Sequence, residues 1–229
     1  MEKIQKAMMK RYKMFATLGI IIVLVAFLLS LQAAGATSTF FSVDKVTRES
    51  AEVGSNIVSA NVARNTLTTW VPSFKFVGLG ILLGAITMAL GVIATTLREL
   101  GINVMSGWPK ALNPGAPEKP HTARLFPMLM MMGWMVLIGG FIMAIWLTVS
   151  TVGPYWSNSI ATVLNPAPAG SNLLQQLGLI KAVTPWLGTL RFFGMALLFT
   201  AITVALTVII RTLQHQEKTL RGFIQARNA

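Results

Sequence analysis

The sequence predicts an all-α integral membrane protein whose four transmembrane helices come from a tandem duplication of a two-helix hairpin, with amphipathic helical loops outside the cytoplasm. Hydrophobic residues make up 54% of the 229 residues and charged residues only 11%. An ordinary soluble domain carries roughly 25% charged residues. The apolar residues are concentrated in four long runs, and the second half of the chain repeats the first. These observations exclude an ordinary soluble globular domain.

Each apolar run is long enough to cross a membrane, because a hydrocarbon core of roughly 30 Å takes about 20 helical residues. The ionisable residues in these runs are Lys75 and Arg191, each close to one end. Helices satisfy their own backbone hydrogen bonds in lipid, and the runs lack the alternating pattern typical of barrel strands. The predicted spans are residues 14–34, 74–97, 125–149 and 190–210.

The segments outside the spans differ in composition. Residues 44–69 hold spaced apolar residues among polar ones, which predicts an amphipathic helix or helix pair. Residues 157–185 are interrupted by Pro166, Pro168 and Gly170 before a helical run at 173–181. We expect residues 99–120, which contain four prolines, to form a cytoplasmic connector, and residues 215–229 to form a basic cytoplasmic tail.

The internal repeat is the most informative feature of the sequence. A gap-free shift of 116 positions aligns residues 54–98 with residues 170–214, and 17 of the 45 positions are identical. Composition alone would give roughly four to six identities. Both copies contain Gly-Ser-Asn outside the membrane, beginning at Gly54 and Gly170. We therefore predict one two-helix repeat over residues 1–98 and a second over residues 121–214, in the same orientation.

Identical positions inside the second and fourth spans recur at alternating spacings of four and three residues, so they form one face of each helix. Small residues on such a face let helix backbones approach closely in lipid, where no hydrophobic force drives association. We expect these two faces to form the inner contact of the bundle. Their members are Gly78, Leu82, Ala85, Ala89, Val92 and Thr96 in the second span, and Gly194, Leu198, Ala201, Ala205, Val208 and Thr212 in the fourth.

The opposite faces of these two helices differ between the copies. The second span carries Gly80, Gly84 and Gly91, which predict a second packing surface for another helix of this chain or for a partner subunit. Threonine hydroxyls on the fourth span most often donate to the carbonyl four residues earlier, and the alternative is a polar path. These threonines are Thr200, Thr203 and Thr207.

Basic residues predict the orientation of the chain. With the N-terminus inside, the cytoplasmic stretches hold 13 Lys and Arg against 6 outside, so the positive-inside rule places both termini in the cytoplasm, in a plasma (inner) membrane. The net charge of +12 lies along membrane flanks, which favours contacts with anionic lipids and not with nucleic acid. Residues 34–36 resemble a signal-peptide cleavage site, but the preceding apolar run exceeds the roughly 7–15 residues of such signals, so we expect an uncleaved helix.

Two cations lie beside a predicted belt of tryptophans. Lys75 and Arg191 occupy matched positions of the repeat, and we expect both to snorkel to lipid phosphates, with a carboxylate of a partner subunit as the alternative. Amphipathic indole rings are typical of the headgroup level. The belt residues are Trp70, Trp146, Trp156 and Trp186.

Few residues in the predicted spans can carry chemistry. The chain has no Cys, which excludes disulfides and thiolate metal sites. His121 and His215 lie at cytoplasmic ends of the spans, so no histidine pair is placed to hold a haem. The spans contain no Asp or Glu to relay protons or bind a coupling cation. We therefore predict no catalytic residue, no cofactor, no metal site and no enzymatic activity.

The leading functional prediction is a non-catalytic subunit that scaffolds or stabilises a larger complex of integral membrane subunits, contacted through Gly80, Gly84, Gly91 and the loops. One alternative is an oligomeric channel or facilitator for a small solute, lined by the three threonines. The other is a copper-handling protein, since thioethers bind Cu(I), although methionine is also a common packing residue. The candidate thioethers share one face of the third span and are Met128, Met131, Met132 and Met135.

Overall fold

The computed structural model describes residues 11–106, 121–165 and 170–228, and these residues are almost entirely helical, with no strand among them. Seven α-helices follow one another in these ranges: α1 Tyr12–Phe41, α2 Lys45–Glu49, α3 Asn56–Ser106, α4 Leu125–Leu147, α5 Gly153–Trp156, α6 Ile160–Leu164 and α7 Asn172–Asn228. A 3₁₀ turn, His121–Arg124, precedes α4, and a π-helical turn, Thr148–Val152, joins α4 to α5.

Four stretches of helix are long and apolar enough to cross a membrane. Each contains one of the predicted spans, so the predicted all-helical class and the four candidate spans are confirmed. The chain is thus consistent with a multi-pass membrane protein. The four stretches are Tyr12–Phe41, Asn56–Val104, Leu125–Trp156 and Asn172–Gln225.

Helices α3 and α7 are much longer than the spans they contain. Their 51 and 57 residues extend over about 77 and 86 Å at 1.5 Å per residue. Of the loop predicted to be helical at 44–69, residues 56–69 are continuous with the second span, and the predicted helix at 173–181 is continuous with the fourth. Residues 211–228 continue the fourth span. Extending a helix adds one hydrogen bond per residue, whereas starting a new one carries a nucleation cost.

The predicted connector divides into two parts. Residues 99–106 belong to α3, so the chain stays helical beyond the point where the connector was expected to begin. The four prolines of the connector lie in residues 107–120, outside the described residues, as do Pro166 and Pro168 of the second loop.

Helices α3 and α7 begin in the same way. Gly54 and Gly170 have φ values of 85° and 84°, a left-handed conformation that glycine adopts without the steric cost of a Cβ. The following serine caps each helix: Ser55 Oγ accepts a hydrogen bond from the Val58 N–H at 3.3 Å, and Ser171 Oγ accepts one from the Leu174 N–H at 3.3 Å. Both Gly-Ser-Asn motifs are therefore helix N-termini, where a serine oxygen satisfies an otherwise unpaired N–H group.

Contacts group the chain into two units. One comprises Leu18–Gly80 and Met135–Met195 and contains two apolar clusters. The first cluster packs Phe40 of α1 against Val58 of α3 and Ile160 of α6. The second packs Leu147 of α4 against Leu187 of α7.

Two glycines bring helices together in this unit. Gly78 of α3 lies against α1, where a Cβ added to the glycine would meet Ile22 Cγ2 at 2.8 Å and Val23 Cγ2 at 3.0 Å. Gly194 of α7 lies against α4, where an added Cβ would meet Leu137 Cδ2 at 2.8 Å. In each predicted hairpin, the first helix thus packs against the matched glycine of the second helix.

The other unit comprises the described residues of Met1–Thr17, Ile81–Trp134 and Ala196–Ala229. In it, α3 packs against α4 where Gly84 lies beneath the indole of Trp134, and Phe15 of α1 stacks on the same indole with 5.5 Å between ring centroids. Helices α3 and α7 meet where Gln216 Nε2 donates a hydrogen bond to the Leu97 carbonyl oxygen at 2.6 Å.

The small-residue faces predicted for the inner contact differ in burial. In α7 all five stripe residues from Gly194 to Val208 are buried. In α3 only Gly78 and Ala85 of the stripe are buried and Thr96 is exposed. The opposite face of α3 is also covered by the chain: it buries Gly80, Gly84 and Gly91.

Candidate functional site

A ladder of polar side chains runs along one face of α3. Its residues are spaced by four positions, so each lies about one helical turn from the next. Three of the four are almost fully buried, with exposed fractions of 1% for Asn61, 8% for Thr69 and 1% for Ser73. We call the set the polar ladder, and its members are Asn61, Asn65, Thr69 and Ser73.

Hydrogen bonds connect the first three members of the polar ladder, Asn61, Asn65 and Thr69. Asn65 Nδ2 donates to the Asn61 carbonyl oxygen at 2.8 Å and to Asn61 Oδ1 at 2.9 Å. Thr69 Oγ1 donates to the Asn65 carbonyl oxygen at 2.7 Å. Such partners are required because a buried polar group without a hydrogen bond costs roughly 1–3 kcal/mol.

Arg191 of α7 completes the ladder at the end nearest the second span. Its Nε donates to Ser73 Oγ at 2.9 Å, and its Nη2 donates to the Thr69 carbonyl oxygen at 3.4 Å. Pro72 lies inside α3 beside this contact. A proline has no N–H group and its ring displaces the preceding turn, which weakens the helical hydrogen bonds of nearby carbonyls. The N–H that Pro72 lacks would have met the Thr68 carbonyl, and Arg191 adds its donor at the neighbouring Thr69 carbonyl.

The two matched cations have different surroundings. Arg191 is half-buried and bonded to α3, whereas Lys75 is exposed. Snorkelling of Lys75 stays a prediction, whereas Arg191 binds a hydroxyl and a carbonyl of its own chain. Because a guanidinium stays protonated in proteins, Arg191 acts as a fixed cation and hydrogen-bond donor and not as an acid or base.

The sequence singles out Arg191 but not its partners. Three of the four ladder residues fall in the predicted loop helix at 44–69, and Ser73 falls just before the predicted span. The signal that would have found them is the four-residue spacing from Asn61 to Ser73, which continues across Pro72. A polar stripe that enters an apolar run predicts a buried partner.

The four tryptophans of the predicted belt fall into two pairs. Trp146 and Trp186 are 57% and 66% exposed, and their place at the headgroup level stays a prediction. Trp70 and Trp156 instead pack against the apolar cluster around Leu147 and Leu187. Trp70 also lies 5.9 Å from the ring of Phe74.

The three threonines of the fourth span all bond to their own helix. Thr200 donates to the Ala196 carbonyl at 2.8 Å, Thr203 to the Phe199 carbonyl at 3.0 Å, and Thr207 to the Thr203 carbonyl at 2.9 Å. Their donors are therefore occupied, which agrees with the first of the two interpretations of this face. A channel lined by these residues stays a prediction.

The methionine face of α4 lies on the surface of the chain. Its exposed fractions run from 42% for Met132 to 72% for Met135. His121 lies in the 3₁₀ turn and His215 is exposed on α7. The described residues contain no group of three or more His, Cys, Asp or Glu side chains that could hold a metal ion. Copper handling stays a prediction.

Neither a protein-family model, nor a curated protein, nor a solved structure matches this chain.

Proposed function

We propose that the chain is a non-catalytic integral membrane subunit that stabilises a larger membrane protein complex. The observation behind this proposal is that the C-terminal part of α7 stays helical well beyond the fourth span. If residues 190–210 cross the membrane, the helix continues through residues 211–228 for about 27 Å beyond the hydrocarbon core.

This C-terminal extension carries an apolar face. Leu213, Leu220 and Ile224 lie within about 60° of one another around the helix axis, and they are 46%, 47% and 56% exposed. The extension contains no proline, and a sharp bend into the membrane plane needs such a break. We therefore infer that a helix or domain of a partner subunit packs against this apolar face and shields it from water.

Helix α3 supports the extension from a neighbouring side. Gln216 binds the Leu97 carbonyl, and Gly101 leaves room for the Gln216 side chain, since an added Cβ would meet Gln216 Cδ at 3.3 Å. A rigid extension presents its apolar face at low entropic cost, which favours binding of a partner.

The test is purification of the tagged chain from native membranes in a mild detergent. We expect partner subunits in fixed stoichiometry, and the double substitution Leu220→Glu and Ile224→Glu should release them because it places two charges in the apolar contact. His215→Glu, on the opposite face of the same helix, is the matched control and should keep the partners. A chain that purifies alone, or a double variant that retains every partner, would overturn the proposal.

We also propose that the two halves are tandem copies with both termini in the cytoplasm of a plasma (inner) membrane. The matched serine caps at Ser55 and Ser171 and the matched close contacts at Gly78 and Gly194 support the duplication. The excess of basic residues on the predicted cytoplasmic side supports the orientation.

A further inference from the structure

Two arginines share one pair of aromatic rings where α1 ends. The Cζ atoms of Arg48 and Arg64 lie 5.2 and 4.9 Å from the centroid of the Phe40 ring. The same atoms lie 4.9 and 5.0 Å from the centroid of the Phe41 ring. Cation–π contacts orient the two guanidiniums but leave their charges in place.

No carboxylate among the described residues forms an ion pair with either guanidinium. Nearby Glu49 pairs instead with Lys45 at 3.7 Å. Arg64 Nη1 is buried and has no hydrogen-bond partner in the part of the chain that the structure describes. Two adjacent cations, one with an unused buried donor, form a site for an anion.

A groove lies between α1 and α3, with a volume of about 460 Å³. Pockets for small ligands range over roughly 300–1,000 Å³. The groove contains three hydroxyls, but Ser30, Thr37 and Thr68 each donate to the carbonyl four residues earlier. Its other lining residues are Ala33, Ala34, Leu67, Val71 and Pro72. The groove therefore fits an apolar chain better than a polar solute.

Arg64 and the groove lie on the same face of α3. Arg64, Leu67, Thr68 and Val71 follow the i, i+3, i+4, i+7 spacing that places residues on one side of α3. On α1, Thr37 precedes Phe41 by one turn. Thr68 of the groove thus lies about 6 Å along α3 from Arg64.

We propose that this surface binds one phospholipid, with its phosphate between Arg48 and Arg64 and one acyl chain in the groove between α1 and α3. The positions 116 residues later hold Leu164 and Ile180, so the second half of the chain lacks the arginine pair. The site is thus specific to the first half. It is independent of the proposed role in a complex.

The test measures lipid binding to the full-length chain in detergent by native mass spectrometry. Phosphatidylglycerol, diacylglycerol and inorganic phosphate serve as probes, because they separate the whole lipid from its chains and from its anion. We expect the intact chain to bind phosphatidylglycerol at least about tenfold more tightly than diacylglycerol, with weak binding of inorganic phosphate.

Two sets of variants test the two parts of the site. Arg48→Gln with Arg64→Gln should weaken phosphatidylglycerol binding about tenfold, while Lys45→Gln, which removes a neighbouring exposed charge, should leave it unchanged. Ala34→Phe should fill the groove and weaken lipid binding, and Gln32→Phe, on the opposite face of α1, is its control. Circular dichroism checks that each variant stays folded.

Three results would overturn the proposal. The first is lipid binding that is unchanged in the double arginine variant. That result would mean that the two arginines bind a different anion, such as a carboxylate of a partner protein. The second is lipid binding that survives Ala34→Phe. The third is inorganic phosphate bound as tightly as phosphatidylglycerol, which would indicate a site for a free anion.

Discussion

Single glycines determine how closely the helices of this protein approach. Gly84 lies against the rigid indole of Trp134, and an added Cβ would be 2.6 Å from Trp134 Cε2. An indole cannot rotate away as a flexible side chain can, particularly since Phe15 stacks on it. Because of this close contact, we expect even the substitution of Gly84 by alanine to lower the stability of the protein.

We predict that Gly84→Ala destabilises the protein by about 1–3 kcal/mol, the usual cost of an overpacked contact. The matched control is Gly188→Ala in α7, where the added Cβ meets nothing within 4 Å and the helix gains propensity. Thermal unfolding in detergent measures both. Equal stability of the two variants would show that the contact with Trp134 adapts without cost.

The contact between Arg191 and Ser73 gives a second prediction for single residues. Arg191→Met should destabilise the chain by about 1.5–3 kcal/mol, because it removes a charged hydrogen-bond donor from two buried acceptors. Lys75→Met, at the matched but exposed position, should be nearly neutral.

A double-mutant cycle with Ser73→Ala isolates the pair. If Arg191 and Ser73 interact as described, their coupling energy is about 0.5–3 kcal/mol. Additive effects of the two substitutions would mean that Arg191 acts through other contacts.

At the scale of the helix, the stability of the first turn depends on the residues that cap it. The serine caps at the starts of α3 and α7 follow from the sequence motif itself, since Gly-Ser-Asn contains both the residue that adopts positive φ and the capping hydroxyl. The repeat was recognised from these same residues. Their structural role explains why they match although the rest of the two loops differs.

We predict that Ser55→Ala and Ser171→Ala each destabilise their helix start by about 0.5–2 kcal/mol. Hydrogen exchange should become faster for the first turn of α3 in the first variant and of α7 in the second. Ser59→Ala, at an exposed position one turn into α3, is the control and should leave exchange unchanged. Faster exchange in the control alone would contradict the assigned caps.

Helix ends were harder to predict than helix starts. A change of composition predicts the end of a helix, but α3 and α7 continue through their prolines and beyond their apolar runs. The π-helical turn at Thr148–Val152 was also not predicted. It depends on one extra residue per turn, which leaves no periodic signal in so short a segment.

Considered as a whole molecule, the chain allows a direct test of its proposed orientation because it contains no cysteine. We predict that a single cysteine at Glu52 reacts with a membrane-impermeant maleimide in intact cells. A single cysteine at Gln225 should react only after permeabilisation. Both positions are exposed, so access to solvent is matched. Labelling of both cysteines from the same side would refute the proposed arrangement, which places three membrane crossings between them.

The four spans and the helical class follow from composition alone, because lipid leaves an apolar segment of this length no other way to satisfy its backbone hydrogen bonds. Chain order also revealed the repeated Gly-Ser-Asn motif, whose cap acts within one turn. The partners of Arg191, the ring against Gly84 and the arginine pair over Phe40 and Phe41 required the folded chain. Each of these contacts joins residues on different helices. The choice between two matched cations or several similar glycines depends on which neighbour lies across the helix interface.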